Sequence, residues 1–357
     1  MRMAIELAMK AQFQTEPNPM VGAILVDENG EILSQAYHHK AGSPHAEVNA
    51  LKEFVKVPPS SILFVTLEPC SHTGRTPPCV DLIIQKKVRK VVVGSKDPNP
   101  QVSGRGIAKL KSQGIDVVEN ICQQECWQMN KVFNKHILQK MPYVSIKAAA
   151  TLDGKIAMPS GESKWITGKA ARSFGHTLRS QHQAIAVGSG TLLADDPELT
   201  DRTSANPRHP HRVVFSSKGN VPIESRFLNT RETRRIIIAG NGIEKRKARE
   251  LEKDGVELLV AETEIPEIEW SLKSLYTAGI CSLLLEGGAQ LVGSFLKEDM
   301  MDQLYLFIAG KLIGSKLAPS WCGELELNRL SDAPELEFEN IERLEDDILL
   351  TCVPKKR

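Results

Sequence analysis

The chain has 357 residues, of which 41% are hydrophobic and 25% are charged, and its 45 basic and 44 acidic residues leave a formal net charge of +1. This composition excludes wholesale disorder, and the length is sufficient for about two domains with substantial cores. The balanced charge argues against binding nucleic acid over an extended surface, although it allows a local phosphate pocket.

The seven cysteines are an odd number spread along a long chain, which is typical of reduced side chains or metal ligands in a reducing compartment. No apolar run has the length needed to cross a bilayer, and the N-terminus lacks the pattern of a cleaved signal. We therefore expect a soluble cytoplasmic protein that makes no membrane contact.

Helical and strand signals alternate in the first part of the chain, which predicts a sheet flanked by helices. An Asn-Gly pair at Gly30 predicts the turn of a hairpin. In chain order we expect a helix over 3–13, strands over 20–26 and 31–37, a helix from His45 to Phe54, a strand over 62–66, a helix after Pro78, a strand over 90–93, a helix over about 106–112 and one long helix over 121–140.

The alternation restarts after residue 141, where we place the domain boundary. We expect strands from Tyr143 and over 184–187, 212–215, 235–238, 256–260 and 282–285, with helices near 168–180 and 268–278. The polar stretch 201–211 and the charged stretch 241–254 are expected to be surface connections. The sequence thus predicts two α/β domains, 1–141 and 142–357.

A metal-binding pattern is the most specific feature of the chain. It consists of His-Ala-Glu starting at His45, a Pro-Cys pair ending at Cys70, and Cys79 after two prolines. One imidazole and two thiolates suit tetrahedral Zn²⁺ and leave the fourth position for water, which is typical of a catalytic site. The alternatives are three unrelated core residues or a structural zinc site closed by a fourth ligand such as His72.

The residues around the ligands predict a hydrolytic deaminase. Prolines before His45 and Cys79 indicate helix starts, where the partial positive charge of the helix favours thiolate over thiol. In such a mechanism zinc activates a water molecule, and Glu47 carries its proton to the leaving amine of an amidine-like ring.

The segment 286–288 suggests a second site. Glu286 and two glycines follow the apolar strand 282–285 and precede a predicted helix, so backbone N–H groups could bind a phosphate there. A plain helix-capping turn is the alternative. The usual Gly-rich dinucleotide fingerprint is missing.

The run Thr66–Cys79, with eight residues between Cys70 and Cys79, resembles the signature of the bifunctional riboflavin biosynthesis family, a branch of the zinc-dependent cytidine deaminase superfamily. Segments 17–19 and 97–106 also resemble that family. The resemblance implies an N-terminal cytidine-deaminase-like three-layer αβα domain and a C-terminal dihydrofolate-reductase-like α/β domain.

Several weaker candidates accompany the deaminase motif. The Asn18 amide could bind the pyrimidine edge, and His38 and His72 could touch substrate; the alternatives are an asparagine in a Pro-flanked turn and plain loop histidines. Cys122 and Cys126 are one helical turn apart, and partial burial is expected rather than a metal clip. Cys281, Cys322 and Cys352 are expected to serve packing.

Segments 151–157, 161–167, 193–197 and 285–288 resemble the reductase of the same family, although residues 309–314 carry a glycine where relatives often have proline. The resemblance implies NADPH binding, with Lys147, Asp195 and Glu286 nearest the chemistry and Lys147 as the candidate acid. By motif, Ala149, Trp165, Thr191, Asp195 and Ser216 would line the cofactor, Gly288, Ala289, Gln290, Leu291, Val292, Gly293 and Ser294 would surround its phosphates, and Ser163, Arg179, Leu199, Arg202 and Glu286 would contact substrate. Arginine suits a sugar phosphate because guanidinium binds it through paired hydrogen bonds.

The family resemblance implies two consecutive reactions. The first is deamination of 2,5-diamino-6-ribosylamino-4(3H)-pyrimidinone 5′-phosphate, and the second is reduction of the ribosyl group of the product to ribityl. One Zn²⁺ per chain, NADPH and a homo-oligomer are implied. The rival hypotheses are a deaminase acting on a base in nucleic acid and a structural zinc module that only binds a partner.

Overall fold

The computed structural model describes residues 1–72, 77–100, 102–203, 208–229 and 232–355. Two compact units divide the chain, Met1–Lys140 and Met141–Arg357. The boundary expected from the sequence lies one residue further along. Residues 73–76 of the deaminase motif, residue 101 of the segment 97–106 and residues 204–207 of the polar stretch lie outside the described residues.

The first unit contains one five-stranded sheet with the order β2-β1-β3-β4-β5. The hairpin β1–β2 is antiparallel, and its turn contains Gly30 with φ +86°, a conformation that favours glycine. Strand β3 pairs antiparallel with β1 and parallel with β4, which pairs parallel with β5. The elements are α1 Arg2–Met9, β1 Gly22–Val26, β2 Ile32–Tyr37, α2 Ala46–Leu51, β3 Ile62–Leu67, α3 Cys79–Gln85, β4 Lys90–Ser95, α4 Arg105–Ser112, β5 Asp116–Val118, α5 Gln123–Met129 and α6 Lys131–Gln139.

Helices cover both faces of this sheet. Side chains of α2, α3 and α4 pack with alternate residues of β1 and β3, including Leu25 and Leu63, in one core. On the other face, α1 packs against Ile24 and Val26. Helix α5 also lies against β4, where a Cβ on Gly94 would come 2.4 Å from the Cys126 sulfur. The first unit is therefore a three-layer αβα structure, and Cys126 is buried in packing as expected, while Cys122 is half-buried.

The expectation of one helix over 121–140 was wrong. The structure has two helices, and Asn130 between them adopts φ −102° and ψ 23°. No proline or glycine lies at this break, and its cause is a tertiary contact rather than the local sequence. The Asn130 side chain accepts the backbone N–H of Met20 at 2.8 Å and donates to the Met20 carbonyl at 2.9 Å.

The second unit contains a nine-stranded sheet with the order β10-β9-β8-β7-β11-β6-β12-β14-β13. The strands from β10 to β12 in this order run parallel, and the hairpin β13–β14 adds two antiparallel strands at one edge. The strands are β6 Tyr143–Thr151, β7 Ala184–Gly188, β8 His211–Phe215, β9 Arg235–Ala239, β10 Glu257–Val260, β11 Ser282–Leu285, β12 Gln303–Ala309, β13 Leu336–Leu344 and β14 Asp347–Pro354. The helices are α7 Lys169–Ser180, α8 Ser189–Asp195, α9 Arg226–Asn229, α10 Lys245–Lys253, α11 Ile268–Thr277 and α12 Ala289–Lys297, with a 3₁₀ turn at Leu330–Asp332.

The topology brings the carboxyl ends of four neighbouring parallel strands to one edge of this sheet. Strand β11 lies between β7 and β6, and β8 lies beside β7. Gly188, Ser216 and Glu286 lie at or directly after the ends of β7, β8 and β11. Crevices at such an edge are the usual ligand sites of open α/β sheets.

The charged stretch 241–254 is not a simple connection, because it contains helix α10. Only Leu251 of this helix is buried, so its strongly polar sequence lies mainly in solvent and conceals the periodicity. In the stretch 201–211, residues 201–203 and 208–210 belong to no helix or strand, and β8 begins at His211. Across the described ranges, no helix combines the length and the apolar character that spanning a bilayer requires.

Candidate active sites

Three elements bring the candidate metal ligands together in the first unit. His45 is the residue before α2, Cys79 is the first residue of α3, and Cys70 lies in the loop after β3. The His45 Nδ1 atom is 3.2 Å from the Cys79 sulfur and 3.6 Å from the Cys70 sulfur. All three ligand atoms lie within 4.8 Å of one another.

This arrangement fits Zn²⁺. Bond lengths of about 2.0–2.1 Å to nitrogen and about 2.3 Å to sulfur in a tetrahedron imply nitrogen–sulfur separations of about 3.6 Å, close to those between His45 and the two sulfurs. Hydrogen bonds from the Cys79 thiol and from His45 lower the pKa of Cys70, although burial opposes this. Among the residues that the structure describes, the cluster contains only these three ligands and does not include His72. The donor set is that of an open site rather than a closed one.

Glu47 lies in the first turn of α2, and its side chain is buried. Burial is the largest cause that raises its pKa to about 7, and the negative charge of Cys70 adds to it. A carboxyl group with a pKa near the working pH can both accept and donate a proton, as general acid–base catalysis requires. Glu47 therefore has the environment of a proton carrier beside the metal ligands.

His45, Cys70 and Glu47 line a cavity of about 550 Å³ within the first unit. The wall also contains Asn18, His38 and His72, the three weaker candidates from the sequence. Burial lowers the pKa of His38, so its ring favours the neutral form. The structure thus brings every deaminase candidate except Cys79 to the wall of one cavity, and Cys79 lies within 4.8 Å of the other two metal ligands.

Other residues of this cavity were missed by sequence reasoning. Asp97 and Asn99 line it, and burial raises the pKa of Asp97 to about 6. The family-like segment 97–106 was a signal that could have identified them. Phe133 and His136 of α6 also line the cavity, but the helical periodicity of α6 contains no signal that distinguishes them from core residues.

A buried carboxylate joins two loops of this site. The oxygens of Glu68 accept backbone N–H groups of Asp97 at 3.3 Å, Gly104 at 2.9 Å, Gly106 at 2.9 Å and Ile107 at 3.3 Å. A Cβ on Gly106 would come 2.1 Å from the Pro69 carbonyl oxygen. Only glycine fits there, and the segment that begins α4 is therefore held against the loop that carries Cys70.

In the second unit, Glu286 forms a bidentate ion pair with Arg179 of α7. Both nitrogen–oxygen distances are 2.8 Å, and Arg179 also donates to the Thr200 carbonyl at 3.1 Å. Burial alone would raise the pKa of Glu286, but the Arg179 guanidinium lowers it to about 2. Lys147 of β6 is close enough to respond to both charges, and burial lowers its pKa. These three predicted residues therefore form one cluster.

The predicted phosphate-binding segment begins helix α12. Gly288 is the residue before the helix, and a Cβ there would come 3.1 Å from the Thr191 hydroxyl of α8. The Val292 N–H is bonded to the Gly288 carbonyl, Gly293 packs against the Cys322 carbonyl, and the Ser294 hydroxyl donates to Gln290. The backbone N–H groups that remain available to bind a phosphate are therefore those of the first turn, namely Gly288, Ala289, Gln290 and Leu291.

The remaining reductase candidates occupy different environments. Ser216 is buried after β8 and accepts the Asn220 N–H, and Ala149 is half-buried on β6. Leu199 is buried with φ +56°, and the exposed Asp195 ends α8. Within the described ranges, none of the hydrogen bonds or ring contacts joins Ser163, Trp165 or Arg202 to the Arg179–Glu286 pair. Instead, Trp165 stacks on Arg172, with 4.6 Å to the ring centre, Arg202 pairs with Glu198, and Ser163 lies half-buried in a loop.

Comparisons with known proteins agree with this division. Residues 1–95 match the model of the cytidine and deoxycytidylate deaminase zinc-binding region, and residues 142–350 match that of the RibD C-terminal domain. The riboflavin biosynthesis protein RibD of Aquifex aeolicus is 40% identical over 98% of this chain and 96% of its own length, and that of Escherichia coli is 38% identical over 99% and 98%. The solved structure of Acinetobacter baumannii RibD, form 1, has a TM-score of 0.87 and 35% identity and covers 99% of this chain and 98% of its own.

The fold and the site define the class of protein, a zinc-binding deaminase domain followed by a reductase domain on the same chain. At the level of the family, the chain belongs to the riboflavin biosynthesis proteins RibD. A second solved structure, a diaminohydroxyphosphoribosylaminopyrimidine deaminase/5-amino-6-(5-phosphoribosylamino)uracil reductase of Thermotoga maritima, has a TM-score of 0.85 and 34% identity over 99% of this chain and 97% of its own. The predicted family and fold classes are confirmed.

Proposed function

We propose that this chain deaminates 2,5-diamino-6-ribosylamino-4(3H)-pyrimidinone 5′-phosphate and then reduces the ribosyl group of 5-amino-6-(5-phosphoribosylamino)uracil to ribityl. Residues 1–141 carry out the first reaction with one Zn²⁺ per chain. Residues 142–357 carry out the second with NADPH. Family membership supports both steps, and the names of the relatives supply the substrates.

One observation carries the deaminase assignment. His45, Cys70 and the buried Glu47 line one cavity, whose size suits a small ring compound, and Cys79 completes the ligand set within 4.8 Å of the other two ligands. His45, Cys70 and Cys79 would hold the zinc ion, which would supply activation of a water molecule. Glu47 is placed to accept a proton from the attacking water and to return protons to the substrate ring and the departing ammonia, since its pKa near 7 allows both directions.

In the reductase unit, the half-buried cluster of Lys147, Arg179 and Glu286 supports a site for a polar reaction centre. NADPH supplies the hydride, and the protein orients the partners. Glu286 holds the Arg179 guanidinium through two hydrogen bonds and presents a negative charge near Lys147. We assign proton donation to Lys147, because burial favours release of its proton. Thr191 and the first turn of α12 would meet the cofactor phosphates.

A direct test uses the purified protein with the diamino substrate and NADPH, following ammonia release and NADPH oxidation separately. We expect both signals, and NADH should support slower oxidation than NADPH. Glu47→Gln should abolish ammonia release because the amide cannot carry protons, while zinc content and NADPH oxidation with the deaminated substrate are unchanged. Ammonia release that survives this substitution would show that Glu47 is not the proton carrier, and failure of the unaltered enzyme to release ammonia would contradict the substrate assignment.

We also propose that the chain forms a homo-oligomer through β13, the terminal strand of the second sheet. Its residues 337–343 are exposed, including Phe338 at 59% and Ile341 at 63%. A second copy running antiparallel, with Asn340 on the two-fold axis, would place Glu337 opposite Arg343. Analytical ultracentrifugation should give a dimer or a larger even oligomer, and Ile341→Glu should dissociate it. A monomer at micromolar concentration would contradict the proposal.

The location is a further proposal. All seven cysteines are free thiols in the structure, and two of them are the candidate metal ligands. Because free cysteines are typical of a reducing compartment, we place the protein in the cytoplasm. Fractionation of the source cells should recover the chain in the cytoplasmic fraction, and recovery from an oxidising compartment would contradict this.

A further inference from the structure

A chain of hydrogen bonds leads from the backbone before α2 to the wall of the deaminase cavity. The His38 ring is 2% exposed, and its Nδ1 atom is 3.2 Å from the Pro44 carbonyl oxygen. Its other nitrogen, Nε2, is 3.3 Å from the side-chain nitrogen of Asn18. Both ring nitrogens therefore have a protein partner, and a direct contact between His38 and substrate is not needed to explain its position.

The Pro44 carbonyl determines how this chain of hydrogen bonds is directed. A carbonyl oxygen can only accept a hydrogen bond, so the His38 proton lies on Nδ1. The atom that faces Nε2 is the Asn18 amide nitrogen, which can only donate, so Nε2 is the acceptor. The Asn18 amide must place its NH₂ group toward Nε2, because its oxygen would face a lone pair. In this orientation the Asn18 Oδ1 atom has no hydrogen-bond partner among the described residues.

We propose that His38 is a positioning residue that sets the orientation of the Asn18 amide, so that Oδ1 reads a hydrogen-bond donor of the substrate ring. Asn18 and His38 both line the cavity that is also lined by Glu47, His45 and Cys70. The donor that fits an amide oxygen is a ring N–H or an exocyclic amino group, as on an aminopyrimidinone. The proposal rests on the proposed deaminase function, and it adds the residue that decides the polarity of this contact.

Two substitutions of His38 test the roles of its two ring nitrogens separately. His38→Gln places an amide oxygen near the position of Nε2 and can still accept from Asn18. His38→Asn can still donate to Pro44 but provides no acceptor for Asn18. We expect His38→Asn to raise the KM for the diamino substrate about tenfold, with a smaller change in kcat, as expected for loss of one ordered hydrogen bond. His38→Gln should keep a KM close to that of the unaltered enzyme.

A double-mutant cycle tests whether His38 acts through Asn18. Asn18→Ala should raise the KM about as much as His38→Asn, and the double variant should be no worse than Asn18→Ala alone. Additive effects, or an unchanged KM in His38→Asn, would overturn the proposal. Zinc analysis of each variant identifies any that have lost the metal site.

A spectroscopic measurement on the unaltered protein does not depend on activity. With ¹⁵N-labelled histidine, the ring signals that disappear in His38→Gln belong to His38, and their ¹⁵N shifts and couplings show which nitrogen carries the proton. We expect the Nδ1–H form, and the Nε2–H form would overturn the proposal. Failure of the proposed function is recognised separately, since it appears as absent ammonia release in the unaltered enzyme.

Discussion

Glu68 is a buried residue that holds two loops of the deaminase site together through backbone hydrogen bonds. Its carboxylate accepts four backbone N–H groups from the segment Asp97–Ile107. Charge-assisted bonds of this kind require a full acceptor, and an amide group would turn an N–H toward some of these donors. The loop carrying Cys70 and the loop carrying Asp97 therefore depend on the same two oxygens.

We predict that Glu68→Gln lowers the free energy of unfolding of the first unit by about 2–4 kcal/mol, because buried donors lose their acceptor. Zinc should also be retained less tightly, since the Cys70 loop loses its anchor. Thermal unfolding and competition with a chromogenic chelator measure the two effects. Glu53→Gln, at an exposed position in the same unit, is the matched control. Equal stability and zinc affinity in both variants would show that the carboxylate charge is unimportant.

The Glu286–Arg179 pair predicts a pH dependence in the second unit. Because the pKa of Glu286 is lowered from 4.5 to about 2 in the folded protein, its ionised form stabilises the fold. This contribution, about 3 kcal/mol, is fully present above about pH 4.5 and is lost as the pH falls toward 2. Glu286→Gln should therefore be destabilised at pH 7, where it leaves a buried guanidinium unpaired, and the difference should shrink below pH 4.5.

Urea unfolding at several pH values, followed by hydrogen exchange of peptides from 282–297, measures this difference. Glu324→Gln is the control, because Glu324 is exposed and makes no ion pair in the structure. A difference between Glu286→Gln and the unaltered protein that stays constant from pH 7 to pH 3 would exclude the ion pair as its source.

At the level of single residues, the sequence predicted His45, Cys70 and Cys79 as metal ligands from their residue types and spacing, and the structure brings their ligand atoms within 4.8 Å of one another. Sequence reasoning located Asn18 only as one of two alternatives, since a single amide before a strand has no pattern. Phe133 and His136 could not be found at all. They reach the cavity because α6 packs against it, and tertiary placement of this kind leaves no local signal.

The break between α5 and α6 connects the helical layer to the substrate cavity. Asn130 pairs with both backbone groups of Met20, only two residues after Asn18. The Asn130 side chain therefore forms with Met20 the two hydrogen bonds that a neighbouring β-strand would form. This contact fixes the segment that presents Asn18, and it explains why the helix is interrupted at a residue without a helix-breaking sequence.

We predict that Asn130→Ala raises the KM for the diamino substrate several-fold, because loss of two hydrogen bonds loosens the Asn18 segment. The kcat for hydride transfer with the deaminated substrate should not change. Steady-state kinetics of each reaction provides the measurement. The control is Gln139→Ala, at an exposed position of α6, the helix that follows Asn130. This variant should behave like the unaltered enzyme. A KM that is unchanged in Asn130→Ala would show that α6 does not position this segment.

The elements themselves could be predicted where one face is apolar and the ends carry turn residues. This held for the hairpin β1–β2 and for β11, whose range 282–285 was predicted without error. The short β5 has too few residues for a pattern, and the apolar residues of β13 do not alternate regularly along the sequence, because its register shifts between Phe338 and Asn340. Helix α10 was also concealed, since a single buried leucine gives no period.

On the scale of the whole molecule, the two units contain different kinds of site. Across the described residues, the one group of three or more potential metal ligands is His45, Cys70 and Cys79, and it lies in the first unit. The reductase unit instead buries an ion pair beside a lysine at the edge of a parallel sheet. The two activities should therefore respond independently to removal of the metal.

We predict that 1,10-phenanthroline abolishes ammonia release and leaves NADPH oxidation with the deaminated substrate within about twofold of its original rate. The chelator removes zinc from an open three-ligand site, whereas hydride transfer is chemistry of the cofactor. Added Zn²⁺ should restore ammonia release. Cys70→Ser should reproduce the loss permanently, and Cys122→Ser, outside the cluster, should keep both activities. Loss of NADPH oxidation together with ammonia release would mean that zinc supports both units, and the independence of the two sites would then be wrong.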